Sequence, residues 1–104
     1  YPSGHSAIGW GWALILSQLV PERAEPILAR GRDYAQSRMV CNVHWMSDTE
    51  AGMAVGAAAF ARLQNNALFQ ATMTAARAEL LSPNAARPDG KSCVQEAALL
   101  APQG

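Results

Sequence analysis

The 104-residue chain lacks an excess of charge of either sign, because 8 basic residues balance 8 acidic ones. A surface without a net positive field does not attract nucleic acid, and one without a net negative field does not attract a polycation. We therefore expect no nucleic-acid partner. The chain also lacks a long hydrophobic run: the longest, Ala7 to Leu16, is shorter than the ~20 residues that cross a bilayer. We expect no membrane span.

Cysteine and histidine are scarce, with two of each in the chain. The spacing of Cys41 and Cys93 matches no metal motif. The two cysteines form one disulfide in an oxidising compartment or remain unrelated thiols, and the sequence leaves both alternatives open. We expect Cys41 to be buried. His5 and His44, without a cluster of carboxylates, make a poor metal site, so no metal or other cofactor is expected.

The residues that are abundant favour helix. Half of the chain is hydrophobic, Ala and Leu are plentiful, and β-branched residues are few, which predicts an all-α fold with one modest core. Ser3 is a plausible N-cap for the first helix, Pro21 opens the second, and Ser47 with Glu50 matches a capping box for the third. Four helices are predicted: 5–20, 21 to 37 or 38, 48–64 and 67–81. Residues 83–104 are predicted to be a mostly irregular tail.

The segment Ser37–Asp48 holds the residues most typical of a reactive site. Taken singly, each has an ordinary explanation: Arg38 as a solvated charge near a helix end, His44 as a half-buried core residue, and Asp48 as an acid favoured by a helix dipole. Together they suggest chemistry. If His44 directly precedes a helix, Asp48 can bind one ring nitrogen and leave the other free for attack. This arrangement requires the second helix to break near Cys41 and Asn42.

The tetrapeptide Pro2–His5 is the second candidate. The amino end of a helix exposes unpaired N–H groups that bind anions, and Gly4 would let an anion approach the backbone closely. Ser3 has a hydroxyl that can donate to the anion, and His5 can supply a proton. The tetrapeptide alone also fits an ordinary cap followed by a first-turn histidine.

Pro2-Ser3-Gly4-His5, followed by Ser37-Arg38, His44 and Asp48, resembles the second and third signature motifs of the type 2 phosphatidic acid phosphatase superfamily. The surrounding residues are more similar still to the bacterial class A non-specific acid phosphatases. The resemblance covers roughly residues 1–81, so 1–82 is interpreted as the C-terminal half of a helical domain of the acid phosphatase and vanadium haloperoxidase type.

The resemblance implies a role for each residue. His44 would attack phosphorus and carry a phosphohistidine, while His5 would protonate the leaving alcohol and then activate water. Asp48 would orient His44. Three groups would hold the phosphate oxygens: Ser3, Gly4 and Arg38. One histidine must be neutral and the other protonated, so two environments must separate their pKa values. The implied substrates are phosphate monoesters of many alcohols, hydrolysed without a metal.

The first motif of the family, a Lys and an Arg-Pro separated by six residues, is absent. Lys91 is the only lysine, and Arg87-Pro88 precedes it. The chain also opens with no leader peptide, as if it were cut from a longer precursor. We therefore expect a second chain or an N-terminal segment to supply the missing cations, and a homo-oligomer is a further expectation left open.

Three alternative functions remain open beside the phosphatase. The scaffold also fits a nucleoside di- or triphosphate hydrolase of apyrase type, and a vanadate-dependent haloperoxidase, which shares this oxyanion pocket. A non-catalytic truncated fragment is an alternative of another class. For the phosphatase itself, the class A resemblance implies a periplasmic location.

Overall fold

The computed structural model describes residues 1–101 of the chain. Those residues form one 3₁₀ turn, Pro21–Arg23, and five helices. The helices are α1 (Gly4–Leu19), α2 (Ala24–Val40), α3 (Met46–Leu63), α4 (Ala67–Leu81) and α5 (Gly90–Leu100). No strand occurs among these 101 residues, and the prediction of an all-α fold is confirmed.

Several helix boundaries match those predicted from the sequence. Ser3 is the N-cap of α1, and its Oγ accepts a hydrogen bond from the N–H of Ser6 at 3.2 Å. Helix α4 begins and ends where its pattern predicted, after an Asn66 side chain that accepts from the Phe69 N–H. Helix α2 begins at Ala24, after the 3₁₀ turn, and ends at Val40, so the predicted bounds of 21 and 37 or 38 are wrong at both ends. The predicted break near Cys41 and Asn42 is confirmed.

The predicted start of α3 at Asp48, with Ser47 as its cap, is wrong. The helix begins two residues earlier, at Met46, and Trp45 is its N-cap. The cause is that Asp48, rather than Ser47, provides the capping group: its Oδ2 accepts a hydrogen bond from the Trp45 N–H at 3.2 Å. The Trp45 indole has no acceptor for the Asp48 N–H. Only one of the two side-chain hydrogen bonds of a capping box is therefore present, the one from the Trp45 N–H to the Asp48 carboxylate.

The prediction of an irregular tail is wrong for residues 90–100, which form α5. The Asp89 carboxylate caps this helix by accepting hydrogen bonds from the N–H groups of Lys91 and Ser92. Gln, Glu, Ala and Leu follow, and all of them favour helix. Every residue of α5 is exposed. The final part of the predicted tail, residues 102–104, lies outside the described residues.

Helix α1 lies at the centre of the fold and packs against both α2 and α3. Its contact with α3 is close because Gly52 and Gly56 of α3 face the α1 backbone. A Cβ at Gly52 would overlap the carbonyl of Ser3, and a Cβ at Gly56 would overlap the carbonyl of Ala7. Helix α4 touches α1 near its end, where Arg77 donates a hydrogen bond to the Leu19 carbonyl.

The surface departs from expectation at one cysteine. Both Cys41 and Cys93 are free thiols and exposed, so the expectation that Cys41 is buried is wrong.

None of the helices in the described residues is long and apolar enough to cross a membrane. Large apolar side chains on α1 remain exposed to solvent, including Ile8, Trp12 and Leu16. They line an apolar groove of about 630 Å³ between α1 and α2.

Candidate active site

The turn after α2 brings His44 back onto the last turn of that helix. Asn42 has a positive φ of 57°, a left-handed conformation that asparagine tolerates better than most residues. The N–H of Asn42 donates to the Met39 carbonyl at 2.8 Å, and the N–H of Val43 donates to the Arg38 carbonyl at 3.1 Å. These two bonds form a Schellman motif, which ends the helix and reverses the chain.

The same carbonyl also accepts from the next residue: the N–H of His44 donates to Arg38 O at 3.2 Å. The backbone of His44 is therefore hydrogen-bonded directly to the backbone of Arg38. His44 follows Arg38 by six positions, which would put the two on different faces of a continuous helix. The break in the helix removes that obstacle.

His44 and Asp48 form a side-chain pair across the start of α3. His44 Nδ1 lies 3.2 Å from Asp48 Oδ2, with side-chain exposures of 23% and 14% respectively. His44 stands just before the Trp45 cap, and Asp48 lies in the first turn. Because a carboxylate only accepts, Nδ1 must be the donor. In the neutral imidazole, Asp48 therefore favours the tautomer with the proton on Nδ1, which leaves the lone pair on Nε2.

The pKa of Asp48 is lowered from its ordinary value of 3.8. The main cause is the hydrogen bond from the Trp45 N–H, which favours the charged carboxylate, and the bonds from His44 and Ser47 act in the same direction. Partial burial opposes these effects but does not outweigh them. The carboxylate that orients His44 is thus ionised at neutral pH.

The amino end of α1 is attached to both neighbouring helices. The N–H of Ser3 donates to the Asp48 carbonyl at 3.0 Å, which joins the Pro2–His5 segment to the first turn of α3. On the other side, Ser6 Oγ donates to the Ala35 carbonyl of α2 at 3.2 Å. The two candidate motifs, although far apart along the chain, therefore meet at one end of the molecule.

Within Pro2–His5, the three candidate residues differ in exposure. Ser3 is fully buried, and its Oγ already accepts from the Ser6 N–H. Gly4 faces open space, since no atom lies within 4 Å of the position of a Cβ. His5 is exposed and lines the groove between α1 and α2. Gly4 and His5 are thus accessible to a ligand, whereas the Ser3 side chain caps the helix.

Arg38 is held by Ser37 and Tyr34: the sequence placed Ser37 in the reactive segment without giving it a role, and did not predict Tyr34 as part of the site. Its Nε and Nη2 donate to Ser37 Oγ at 3.1 and 2.9 Å. Its guanidinium carbon lies 5.2 Å from the centroid of the Tyr34 ring. Tyr34 precedes Arg38 by four residues on α2, and that spacing, which places side chains on one helix face, was the only signal in the sequence.

The described residues contain no group of three or more His, Cys, Asp or Glu side chains placed to hold a metal ion. What the site does contain is an ionised carboxylate, an oriented imidazole, a guanidinium and the amino end of a helix. Such groups bind an oxyanion and transfer protons.

Comparison of the sequence with known proteins identifies relatives of the chain. Residues 1–70 match the PAP2 superfamily. The chain is 49% identical over 84 residues to a non-specific acid phosphatase of Salmonella typhimurium, an alignment covering 81% of this chain and 34% of that protein.

Two other relatives give the same picture. The chain is 44% identical over 95 residues to an acid phosphatase of Zymomonas mobilis, covering 89% of this chain and 36% of the relative. It is 47% identical over 79 residues to a non-specific acid phosphatase of Providencia stuartii, covering 76% and 32%. The chain spans about a third of the length of these curated relatives.

Proposed function

The chain belongs to the PAP2 superfamily, and on that premise we propose that it carries the histidine half of a phosphomonoesterase site of the acid phosphatase type. The observation that carries the proposal is the His44–Asp48 pair, with Nδ1 and Oδ2 3.2 Å apart, next to the amino end of α1. A carboxylate that fixes the tautomer of a histidine prepares the opposite ring nitrogen for attack.

In the first step, His44 Nε2 attacks the phosphorus of a phosphate monoester. A P–N bond forms, the P–O bond to the alcohol breaks, and His5 donates a proton to the leaving oxygen. Asp48 stabilises the positive charge that develops on His44. The product on the enzyme is a phosphohistidine.

In the second step, His5, now neutral, accepts a proton from water as the water oxygen attacks phosphorus. The P–N bond breaks, inorganic phosphate leaves, and His44 is regenerated. An alcohol in place of water would give phosphotransfer. Every proton and electron pair is accounted for by the two imidazoles, the substrate and water, so we propose that the reaction needs no metal.

The phosphate oxygens carry the developing charge, and fixed donors aimed at them lower the barrier. We assign this role to the Arg38 guanidinium and the backbone N–H groups at Gly4. Ser3 was predicted to bind phosphate as well. Because its side chain is buried and caps α1, we assign to it the placement of the Gly4 backbone, with a direct hydroxyl contact as a secondary proposal.

We propose that the site is completed by chain outside these 104 residues. The relatives are about three times as long as the matched segment, and the Lys-x6-Arg-Pro motif of the family is absent from this sequence. The exposed apolar groove between α1 and α2 is a surface that such a segment would cover. A second chain carrying the motif is the alternative, and a homo-oligomer of this chain alone would not supply it.

The substrate class we propose is broad, covering small organic phosphate monoesters, and the location we propose is the periplasm. Fractionation of source cells with an antibody to the chain tests the location: recovery in the cytoplasmic fraction would contradict it.

Steady-state assays of the polypeptide as it is encoded test the activity. We expect hydrolysis of p-nitrophenyl phosphate to exceed that of ATP, and no bromide oxidation with vanadate. Preference for ATP would favour the apyrase-type alternative, and bromide oxidation would favour the haloperoxidase. If the 104-residue chain by itself is a fully active, folded monomer, the proposal that a segment outside these 104 residues completes the site fails. Absence of all three activities in the encoded polypeptide would support a non-catalytic fragment.

A further inference from the structure

The Tyr34 ring occupies a position that only a glycine opposite allows. A Cβ at Gly9 of α1 would overlap Cδ1 and Cε1 of the ring, so one edge of the ring lies against the α1 backbone. Tyr34 also lines the groove that His5 lines. Its position is therefore fixed by α1, the helix whose amino end contributes Gly4 and His5.

The Tyr34 ring also contacts Arg38. The guanidinium carbon lies 5.2 Å from the Tyr34 ring centroid, within the range of a cation–π interaction. Ser37 adds a second constraint, because its Oγ accepts two N–H groups of Arg38 and donates to the Tyr34 carbonyl at 2.6 Å. The long side chain of Arg38 is thus held between a ring and a hydroxyl that are both attached to the same turn of α2.

We propose that Tyr34 is a positioning residue for Arg38, which it holds on the aromatic face so that the guanidinium is ordered before an oxyanion binds. This inference rests on the phosphomonoesterase function proposed above. Arginine loses side-chain entropy when it binds a ligand, and a residue that restricts it beforehand reduces that loss. The effect acts through Arg38 and not through any contact between Tyr34 and the substrate.

Substitutions of Tyr34 can distinguish this role from simple packing. A ring needed only to fill space between α1 and α2 would be replaceable by an apolar side chain of similar size. A ring needed for its π face is replaceable by phenylalanine, which keeps the ring, but not by leucine or methionine. The chain offers a matched control in Trp10, whose ring lies 6.0 Å from the guanidinium carbon of Arg32 in the same pair of helices.

The experiment measures inhibition by inorganic phosphate and the kinetics of p-nitrophenyl phosphate hydrolysis in the encoded polypeptide. Tyr34→Leu and Tyr34→Met remove the ring and keep apolar volume, Tyr34→Phe keeps the ring, and Trp10→Leu removes the control pair. We expect the first two variants to raise the phosphate Ki and the KM by roughly 3- to 30-fold, the range of a lost cation–π contact. Tyr34→Phe should stay within about twofold of the wild type.

Thermal melting of each variant separates folding from binding. Trp10→Leu should melt earlier without a change in phosphate Ki, which shows that loss of packing alone does not alter anion binding. If Tyr34→Leu or Tyr34→Met remains folded and binds phosphate as the wild type does, the positioning role is overturned. If Tyr34→Phe is as impaired as the ring-less variants, the π face is not what matters and the inference also fails. A wild-type protein that neither binds nor releases phosphate would overturn the proposed function instead.

Discussion

The backbone N–H of Ser3 donates a hydrogen bond to the carbonyl of Asp48 at 3.0 Å. This single bond joins the start of α1 to the first turn of α3, and it is possible because Gly52 leaves room for the Ser3 carbonyl one turn farther along α3. Through Asp48 the bond also connects the Pro2–His5 segment to His44, since the Asp48 side chain holds that imidazole.

Replacing His44 by alanine should abolish formation of a phosphoenzyme. The variant loses the proposed nucleophile, so we expect turnover to fall by about 10³- to 10⁶-fold. The measurement is acid-labile phosphate on the protein after mixing with p-nitrophenyl phosphate and quenching.

His5→Ala provides the comparison for this experiment. The p-nitrophenolate group leaves without protonation, so this variant should still become phosphorylated and then hydrolyse slowly for lack of a base. Retained phosphorylation in His44→Ala would show that the nucleophile is another residue.

Asp48→Asn tests the orientation of His44. The amide can present an N–H to Nδ1 and so favour the wrong tautomer, and it no longer stabilises a charged imidazole. We expect kcat to fall by roughly 10²- to 10⁴-fold.

Asp89→Asn is the matched control for Asp48→Asn, because Asp89 caps α5 through the same kind of carboxylate to N–H bonds. Its activity should equal that of the wild type. Equal kinetics in both variants would remove Asp48 from the mechanism.

The lowered pKa of Asp48 predicts a pH dependence of stability with a definite sign. A carboxyl whose pKa is lower in the folded state stabilises the fold when it is ionised in both states, above its ordinary value of 3.8. This stabilisation is lost as the pH falls from 3.8 through the folded-state pKa. Urea unfolding of the wild type and of Asp48→Asn should therefore show a difference in the free energy of unfolding at neutral pH that shrinks in acid. A difference that grew in acid would mean that the folded state does not favour the charged carboxylate.

Gly52→Ala should destabilise the fold, because the new Cβ overlaps the Ser3 carbonyl and α1 must move away from α3. Overpacking of this kind costs about 1–3 kcal/mol, measured as the free energy of unfolding in urea. The displacement should also lower activity, since it lengthens the Ser3 to Asp48 bond. Gly90→Ala is the control: nothing lies within 4 Å of the added methyl, and alanine favours helix. If both variants unfold alike, close packing at Gly52 is not important for stability.

The sequence predicted the helices wherever a local signal was strong. Ser3 as a cap and the Asn66 turn are confirmed because a capping side chain bonds within three residues of itself. The start of α3 was predicted two residues late because two acceptors, Ser47 and Asp48, competed for the same role. With Asp48 as the capping residue, its side chain still binds His44 and its carbonyl still accepts from the Ser3 N–H.

The tail was mispredicted for a different reason. Its composition of Pro, Gly and small polar residues suggested irregular chain, yet Asp89 caps a helix that has no buried residue. Local capping and propensity are enough for a helix there, and no core-facing stripe announces it.

By itself the sequence determined the helical class, the family resemblance and the identity of the candidate reactive residues, since these depend on composition, spacing and local capping. Only the tertiary structure decided that the Ser3 side chain is buried, that Asn42 adopts the left-handed conformation that returns His44 to Arg38, and that Tyr34 lies beneath that arginine. The turn at Asn42 is formed by hydrogen bonds within residues 38–44, whereas the burial of Ser3 and the position of the Tyr34 ring depend on how closely α1 approaches α3 and α2. That distance is set by glycines and by backbone hydrogen bonds between residues far apart in the chain, which no local pattern encodes.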